Sequence, residues 1–158
     1  MSQYYDVGDR TLWNPSGGVS RLFMSQVSVC QAELGLPSGI GPMRADECQI
    51  DPVRFAAFVD ALLAWHRRAS HPVMAALSEG FVTTVVVLAE RAGIEVKWQS
   101  AGPARAGGRD LSEEAWAAAV QQKSRELGRF MAGRARSANT LGGESLPKAG
   151  VQAVGVRN

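Results

Sequence analysis

One segment in the middle of the chain restricts the fold more than any other. Residues 73–92 carry apolar side chains at helical spacing on nearly every side, and Gly93 ends the pattern. Within this segment residues 82–88 (VTTVVVL) are strongly β-branched and on their own would also suit a strand. No turn residue separates them from the helical pattern on either side, so we expect one helix over about 72–92. A helix with so little polar surface must be a central, buried element.

Two further helices are predicted on either side of a loop rich in proline and glycine. Asp51 can cap the second of them and Pro52 fits its first turn, which predicts a helix over about 51–69. The first, over about 18–34, has apolar residues three and four apart that predict one buried stripe. The stripe consists of Val19, Leu22, Phe23, Val27, Cys30 and Leu34.

The N-terminal residues predict a β-hairpin. Residues 4–7 (YYDV) and 11–13 (TLW) favour strands, and Gly8 with Asp9 can form the tight turn between them. Because an isolated hairpin is marginally stable in water, it must lie against the helices. Residues 94–98 alternate as a short strand would, and we expect them to add a third strand. The predicted fold is a mainly α, small helical bundle whose end is covered by an N-terminal β-hairpin.

Composition shifts divide the chain into four parts. Residues 1–98 are expected to form the compact helical domain, and residues 99–109 (QSAGPARAGGR) have the composition of a linker. Residues 110–132 predict an amphipathic helix tethered by that linker. Residues 133–158 are rich in Gly, Ala, Ser and Arg without periodicity, which predicts a disordered tail.

Composition and charge exclude several classes of protein. A hydrophobic fraction of 46% in 158 residues is enough to build a core, which excludes wholesale disorder. The start of the sequence has neither the cationic nor the apolar stretch of a secretory signal, so a cytoplasmic location is expected. Residues 1–96 have a net charge of −3 and residues 97–158 one of +5, but no basic block is long enough to predict a nucleic-acid patch.

One cluster of reactive side chains deserves consideration as an enzyme site. Asp46, Glu47 and Cys48 lie in one loop, and His71 follows the second helix. A histidine beside a cysteine can activate the thiol, whereas the two neighbouring acids would disfavour its thiolate. We therefore expect no catalytic residues, and we name these four only for the case that the chain is an enzyme. If the chain is not an enzyme, we expect the loop to be solvated and His71 to cap a helix.

No metal or cofactor site is expected. The residues available for zinc lack the close paired spacing of structural zinc sites. They are Cys30, Cys48, His66 and His71. The chain also has no glycine-rich loop with the spacing of a nucleotide-binding motif, and no serine elbow or calcium-binding loop.

Three aromatic residues are candidates for binding a partner protein. Trp13 lies on the hairpin, and Trp116 and Phe130 lie on the apolar stripe of helix 110–132. Exposed aromatic residues often anchor protein interfaces, although Trp13 also suits a cover over one end of the core.

Three segments resemble a family of small actinobacterial proteins that carry a domain of unknown function. They are YYDVGDRTLWNP at residues 4–15, LPSGI at 36–40 and ADECQID at 45–51. The resemblance covers about residues 3–96, and it implies no activity, ligand or catalytic residue.

These observations favour a non-catalytic module that binds another protein or itself, such as an accessory or immunity-type protein of a bacterial cytoplasm. The contact would be made through helix 110–132 or the hairpin. The alternative is a small enzyme or small-molecule binder with its site between the hairpin and the 36–50 loop. The third hypothesis is DNA binding through helix 111–132 and its tail.

Overall fold

The computed structural model describes residues 2–69, 71–98 and 113–140. It contains four helices and one small sheet, which confirms the predicted mainly α fold with an N-terminal hairpin. The strands are β1 (Tyr4–Val7), β2 (Arg10–Trp13) and β3 (Glu47–Gln49). The helices are α1 (Gly17–Leu34), α2 (Pro52–Arg68), α3 (Pro72–Ala92) and α4 (Glu113–Thr140).

The ends of the helices follow the signals in the sequence. The Asp51 carboxylate accepts hydrogen bonds from the backbone N–H groups of Val53 and Arg54 at the start of α2. The Nδ1 atom of His71 accepts one from Val73 N–H at the start of α3. Gly93 ends α3 in the left-handed conformation at φ 76°, which glycine adopts without strain.

The loop before β3 is held against the start of α2 by a close backbone approach. Gly39 has φ 77°, and a Cβ atom at this position would lie 2.6 Å from the backbone nitrogen of Phe55. Its carbonyl accepts a hydrogen bond from Asp51 N–H at 2.8 Å. Only glycine tolerates both the positive φ and this close approach of the backbone, so Gly39 fixes the position of the loop against the start of α2.

The third strand of the sheet is β3, and the prediction of a strand at 94–98 is wrong. The sheet order is β2-β1-β3, with β3 parallel to β1. Both edges of β1 are therefore occupied. The N–H group of Ile94 bonds to the carbonyl of Ala89 as part of the end of α3, so it is not available for a ladder.

The β-branched run 82–88 is helical, as predicted. Val82, Val85 and Leu88 are all buried, together with the residues between them except Thr84. Thr83 and Thr84 donate their hydroxyl groups to carbonyls four residues earlier, which satisfies these polar groups within the helix. The run is helical although β-branched residues have a low intrinsic helix propensity. Burial of α3 against both α2 and α4 compensates for that low propensity.

Helix α3 is also long and apolar enough to cross a membrane by length and composition alone. In this fold 56% of its most apolar window is buried inside the protein, as expected for the core helix of a bundle.

Helix α4 forms part of the same core. Trp116 and Val120 are buried in the main hydrophobic cluster, so the helix is not a separate unit in the structure. It runs parallel to α3, since Lys123 pairs with Glu79 and, further along both helices, Gly128 accepts a hydrogen bond from Arg91. The predicted start of this helix at 110 and the predicted linker 99–109 lie outside the described residues.

The prediction of a disordered tail from residue 133 is wrong for its first part. Helix α4 continues to Thr140, eight residues beyond its predicted end. Residues 141–158 lie outside the described part of the chain.

Candidate functional site

The four residues considered for an enzyme site do not meet. Cys48 lies in β3, which leads into the start of α2, whereas His71 lies beyond the other end of α2. A helix of 17 residues is about 25 Å long, so the two side chains lie at opposite ends of it. His71 is exposed and occupied as a helix cap.

Cys48 is a buried structural residue. Its side chain has no exposed surface, and its thiol donates a hydrogen bond to the carbonyl of Gly41 at 3.1 Å. Burial, together with the negative charge of Asp6, raises the pKa of the Cys48 thiol to about 11. A thiol of this kind is a poor nucleophile at neutral pH.

The two acids beside Cys48 have separate surroundings. Asp46 is half-buried in the turn before β3, where its φ of 65° is in the left-handed region and its Oδ1 accepts a hydrogen bond from the Gln3 amide. Glu47 is exposed. Within the described residues no group of three or more His, Cys, Asp or Glu side chains is arranged to hold a metal ion.

Two of the three predicted partner-binding aromatics pack inside the protein. Trp13 is half-buried and its ring lies 5.3 Å from those of both Tyr5 and Phe23. Trp116 is buried and donates its indole N–H to Nδ1 of His66 at 3.3 Å. Phe130 on α4 differs from both, since 63% of its side chain is exposed.

His66 connects three helices from a buried position. Its Nδ1 accepts from Trp116 of α4, and its Nε2 lies 3.3 Å from the carbonyl of Ala75 in α3. The two contacts together require the tautomer in which Nε2 carries the proton and donates it. His66 is therefore a structural link and not a metal ligand in this arrangement.

The largest departure from the predicted core is on α1. Phe23, Val27 and Cys30 of the predicted stripe are buried, but Val19 and Leu22 are exposed, so the prediction that they are buried is wrong. Val29, which the stripe did not include, is exposed as well. We call this surface the α1 outer face and define it by Val19, Leu22, Ser25, Ser28 and Val29.

The α1 outer face has a regular pattern of large and small side chains, which the predicted stripe did not include. Leu22 and Val29 are seven residues apart and are 63% and 67% exposed. Small residues alternate with them along the same line, at spacings of four and three. They are Gly18, Ser25 and Ala32. This three-and-four alternation of large and small side chains is typical of a seam between two helices.

A second surface feature lies between α3 and α4. It is an open groove with a volume of about 380 Å³. Its lining consists of Val87, Glu90, Arg91, Ser124, Arg125, Gly128, Arg129 and Ala132. Sequence patterns gave no signal for this groove, because its residues come from two helices whose relative position only the packing determines.

Comparison with known proteins yields a family and nothing more specific. A family model described as a family of unknown function (DUF6086) matches residues 1–133. The match thus extends beyond residue 96, where the resemblance seen in the sequence ended, and includes most of α4. No curated protein and no solved structure matches the chain.

Proposed function

We propose, for a chain that belongs to the DUF6086 family of unknown function, a role as a non-catalytic protein-interaction module. The α1 outer face is the surface that binds, and its partner is an apolar helix supplied by another protein or by a second copy of this chain. We place the contact on α1 instead of the hairpin or α4 because Trp13 and Trp116 pack inside the protein, and because Phe130 is the single exposed large apolar side chain of α4 among the described residues, whereas α1 exposes several.

The exposure of Leu22 and Val29 is the observation that carries this proposal. Each leaves about two thirds of its side chain in water on the same side of α1. Full burial of such a side chain contributes about 1.5–3 kcal/mol, so covering both would supply a substantial part of a binding free energy. Apolar residues grouped in this way often mark interaction sites.

The polar groups on the α1 outer face do not oppose its burial. Ser25 donates its hydroxyl to the carbonyl of Arg21 at 2.9 Å, and Ser28 donates to that of Met24 at 3.0 Å. Because both donors are already satisfied within the helix, a partner can cover them without leaving an unpaired hydrogen-bond donor. Covering this face therefore costs little in lost hydration.

The small residues of the pattern favour close approach of a second helix. Gly18 precedes Leu22 by four residues, and Ser25 lies between Leu22 and Val29. In an antiparallel pair of helices with this pattern, large residues of one helix lie opposite small residues of the other, which keeps the separation even along the seam. This shape complementarity supports a helical partner.

We propose in addition that the protein works in a bacterial, more narrowly actinobacterial, cytoplasm as an accessory or immunity-type protein. Two observations support this setting. The sequence is rich in Ala, Gly, Val and Arg, as high-GC coding sequences are. Cys30 and Cys48 are buried free thiols, as is usual in a reducing compartment.

The test combines oligomeric state with partner capture. Size-exclusion chromatography with light scattering across a range of concentrations detects a self-complex, and affinity capture from host lysate detects a different partner. The double variant Leu22→Asp/Val29→Asp is expected to abolish whichever complex forms, because it places two charges in the seam. Thermal melting confirms that each variant is folded.

The matched control is Leu77→Asp on α3, where a leucine that is 74% exposed, compared with 63% for Leu22, lies outside the α1 outer face. It is expected to leave the complex intact. If it disrupts the complex as strongly as the double variant, the surface has been misassigned. A protein that stays monomeric and captures no partner contradicts the proposed function.

A further inference from the structure

We propose that the groove between α3 and α4 binds a small molecule through a phosphomonoester group. The proposal does not depend on the α1 outer face. It stands on a cationic side chain in the floor of the groove, a buried hydroxyl without a partner and the net charge of the lining.

The first observation is the position of Arg91. Its guanidinium donates to the carbonyl of Leu12 at 2.7 Å and to that of Gly128 at 3.1 Å. Among the described residues no carboxylate forms an ion pair with it. Neutral carbonyls orient this cation but leave its charge uncompensated, which favours an anion nearby.

The second observation is the side chain of Ser124. It lines the groove, has no exposed surface, and its hydroxyl has no hydrogen-bond partner. Several other helical hydroxyls bond to the carbonyl four residues earlier, as those of Ser25 and Thr83 do. Ser124 does not, and a buried donor without an acceptor costs about 1–3 kcal/mol unless a ligand or water supplies one.

The third observation is the charge of the rim. Arg125 and Arg129 are four residues apart on α4 and so lie on the same side of the groove, whereas Glu90 lies on α3. Neither of these two arginines forms an ion pair with a described residue. With Arg91 the groove has three positive charges and one negative charge. The resulting +2 complements a phosphomonoester, which has a charge of about −1.5 to −2 near pH 7.

The shape of the groove agrees with this ligand. Ser124, Gly128 and Ala132 recur every four residues along α4, so one side of the groove has no large side chain. A volume of about 380 Å³ exceeds what a phosphate group needs and lies in the range typical of small-molecule sites. The space beside the phosphate suits a small organic group against Val87.

Phenyl phosphate and benzoate are the two probes of choice because they share a ring and differ in the anion. Calorimetric titration of the full chain is expected to show binding of phenyl phosphate and at least tenfold weaker binding of benzoate. Backbone amide signals of Ser124 and Gly128 are expected to shift on titration, while those of α1 stay in place. Equal affinity for benzoate would overturn the assignment to phosphate, and no binding at millimolar concentration would overturn the site.

Variants of the rim make the test specific. Arg125→Gln/Arg129→Gln is expected to weaken binding about tenfold or more, since each charge-assisted hydrogen bond contributes on that scale. Ser124→Ala is expected to weaken it severalfold. Glu90→Gln is expected to tighten binding, and a gain of affinity cannot arise from misfolding.

The control is Arg21→Gln, which removes an exposed arginine from α1. It removes one positive charge, as each of the two arginine substitutions in the groove does. It is expected to change the affinity less than twofold. If Arg21→Gln lost half or more of the binding free energy lost by Arg125→Gln/Arg129→Gln, the protein would attract anions only through its overall charge. A Glu90→Gln variant with unchanged or weaker affinity would also contradict the proposed site.

Discussion

Helices α1 and α3 both carry apolar side chains at helical spacing, on one stripe in α1 and on nearly every side in α3, and the structure covers them to different extents. Helix α3 is covered on two sides by α2 and α4, and its residues 82–89 are almost completely buried apart from Thr84, whereas Val73, Met74 and Leu77 near its start are exposed. Helix α1 packs through one face and leaves Leu22 and Val29 in water. The comparison teaches that an apolar stripe specifies a face to be covered but not what covers it. For α3 the cover is part of this chain, and for α1 we propose that it is a partner.

The largest expected difference between the two helices is in stability. Leu88→Ala on α3 removes a fully buried side chain and is expected to lower the free energy of unfolding by about 2–5 kcal/mol. Urea unfolding followed by circular dichroism measures this change. A loss below about 1 kcal/mol would mean that α3 is less tightly enclosed than the structure shows.

The contact between α4 and His66 is tested by Trp116→Phe. This change keeps most of the aromatic packing but removes the indole N–H, which leaves Nδ1 of buried His66 without its donor. The expected loss is about 1–3 kcal/mol in the free energy of unfolding. Trp98→Phe is the control, because Trp98 contacts the ring of Trp116 at a centroid distance of 6.1 Å and packs against the same hydrophobic cluster. An equal loss in the control would assign the effect to packing instead of the hydrogen bond.

Alkaline pH is expected to weaken the enclosed part of the fold through Cys48. The folded pKa of its thiol is raised to about 11, above the value near 9 of an unperturbed thiol, so the folded state holds the proton more tightly. Its contribution is complete below pH 9 and is lost as the pH rises to 11, with a slope of at most about 1.4 kcal/mol per pH unit. The free energy of unfolding, measured across this pH range, should fall more steeply for the unmodified protein than for Cys48→Ala. Parallel curves for the two proteins would contradict the prediction.

The smallest expected effect is on the exposed side of α1. Leu22→Ala and Val29→Ala each remove apolar atoms that are mostly in water, and alanine favours the helix. Each is expected to change the free energy of unfolding of the isolated protein by less than about 0.5 kcal/mol. A loss comparable with that of Leu88→Ala would show that this face is covered within the protein, and would remove the basis for a partner there.

Local signals in the sequence predicted the helices well and the pairing of strands poorly. Asp51 and Pro52 begin α2 where expected, because the capping carboxylate acts on N–H groups two and three residues away. Strand β3 was missed because three residues are too few for an alternating pattern and its partner lies over 40 residues earlier. Residues 94–98 have the alternation of a strand, yet β1 had no free edge for them.

The candidate sites show the same limit. The apolar stripe of α1 was wide enough for more than one helix face, so the sequence could not decide which part would be buried. Trp13 was expected either to bind a partner or to cover one end of the core, and its packing against Tyr5 and Phe23 agrees with the second alternative. For Trp116 no sequence pattern indicated the contact with His66 inside the protein. The groove between α3 and α4 depends on the position of two helices with no motif in common, and only the tertiary structure reveals it.

The parallel pairing of β1 with β3 has a consequence for the order of assembly on the ribosome. Tyr4, Tyr5 and Asp6 emerge first, but their partners at residues 47–49 emerge only after the whole of α1. Until then β1 has one unpaired edge, the type of edge that invites pairing with another nascent chain. The pairing of β1 with β3 is thus completed late, and until then this edge of β1 is open to pairing with the wrong strand.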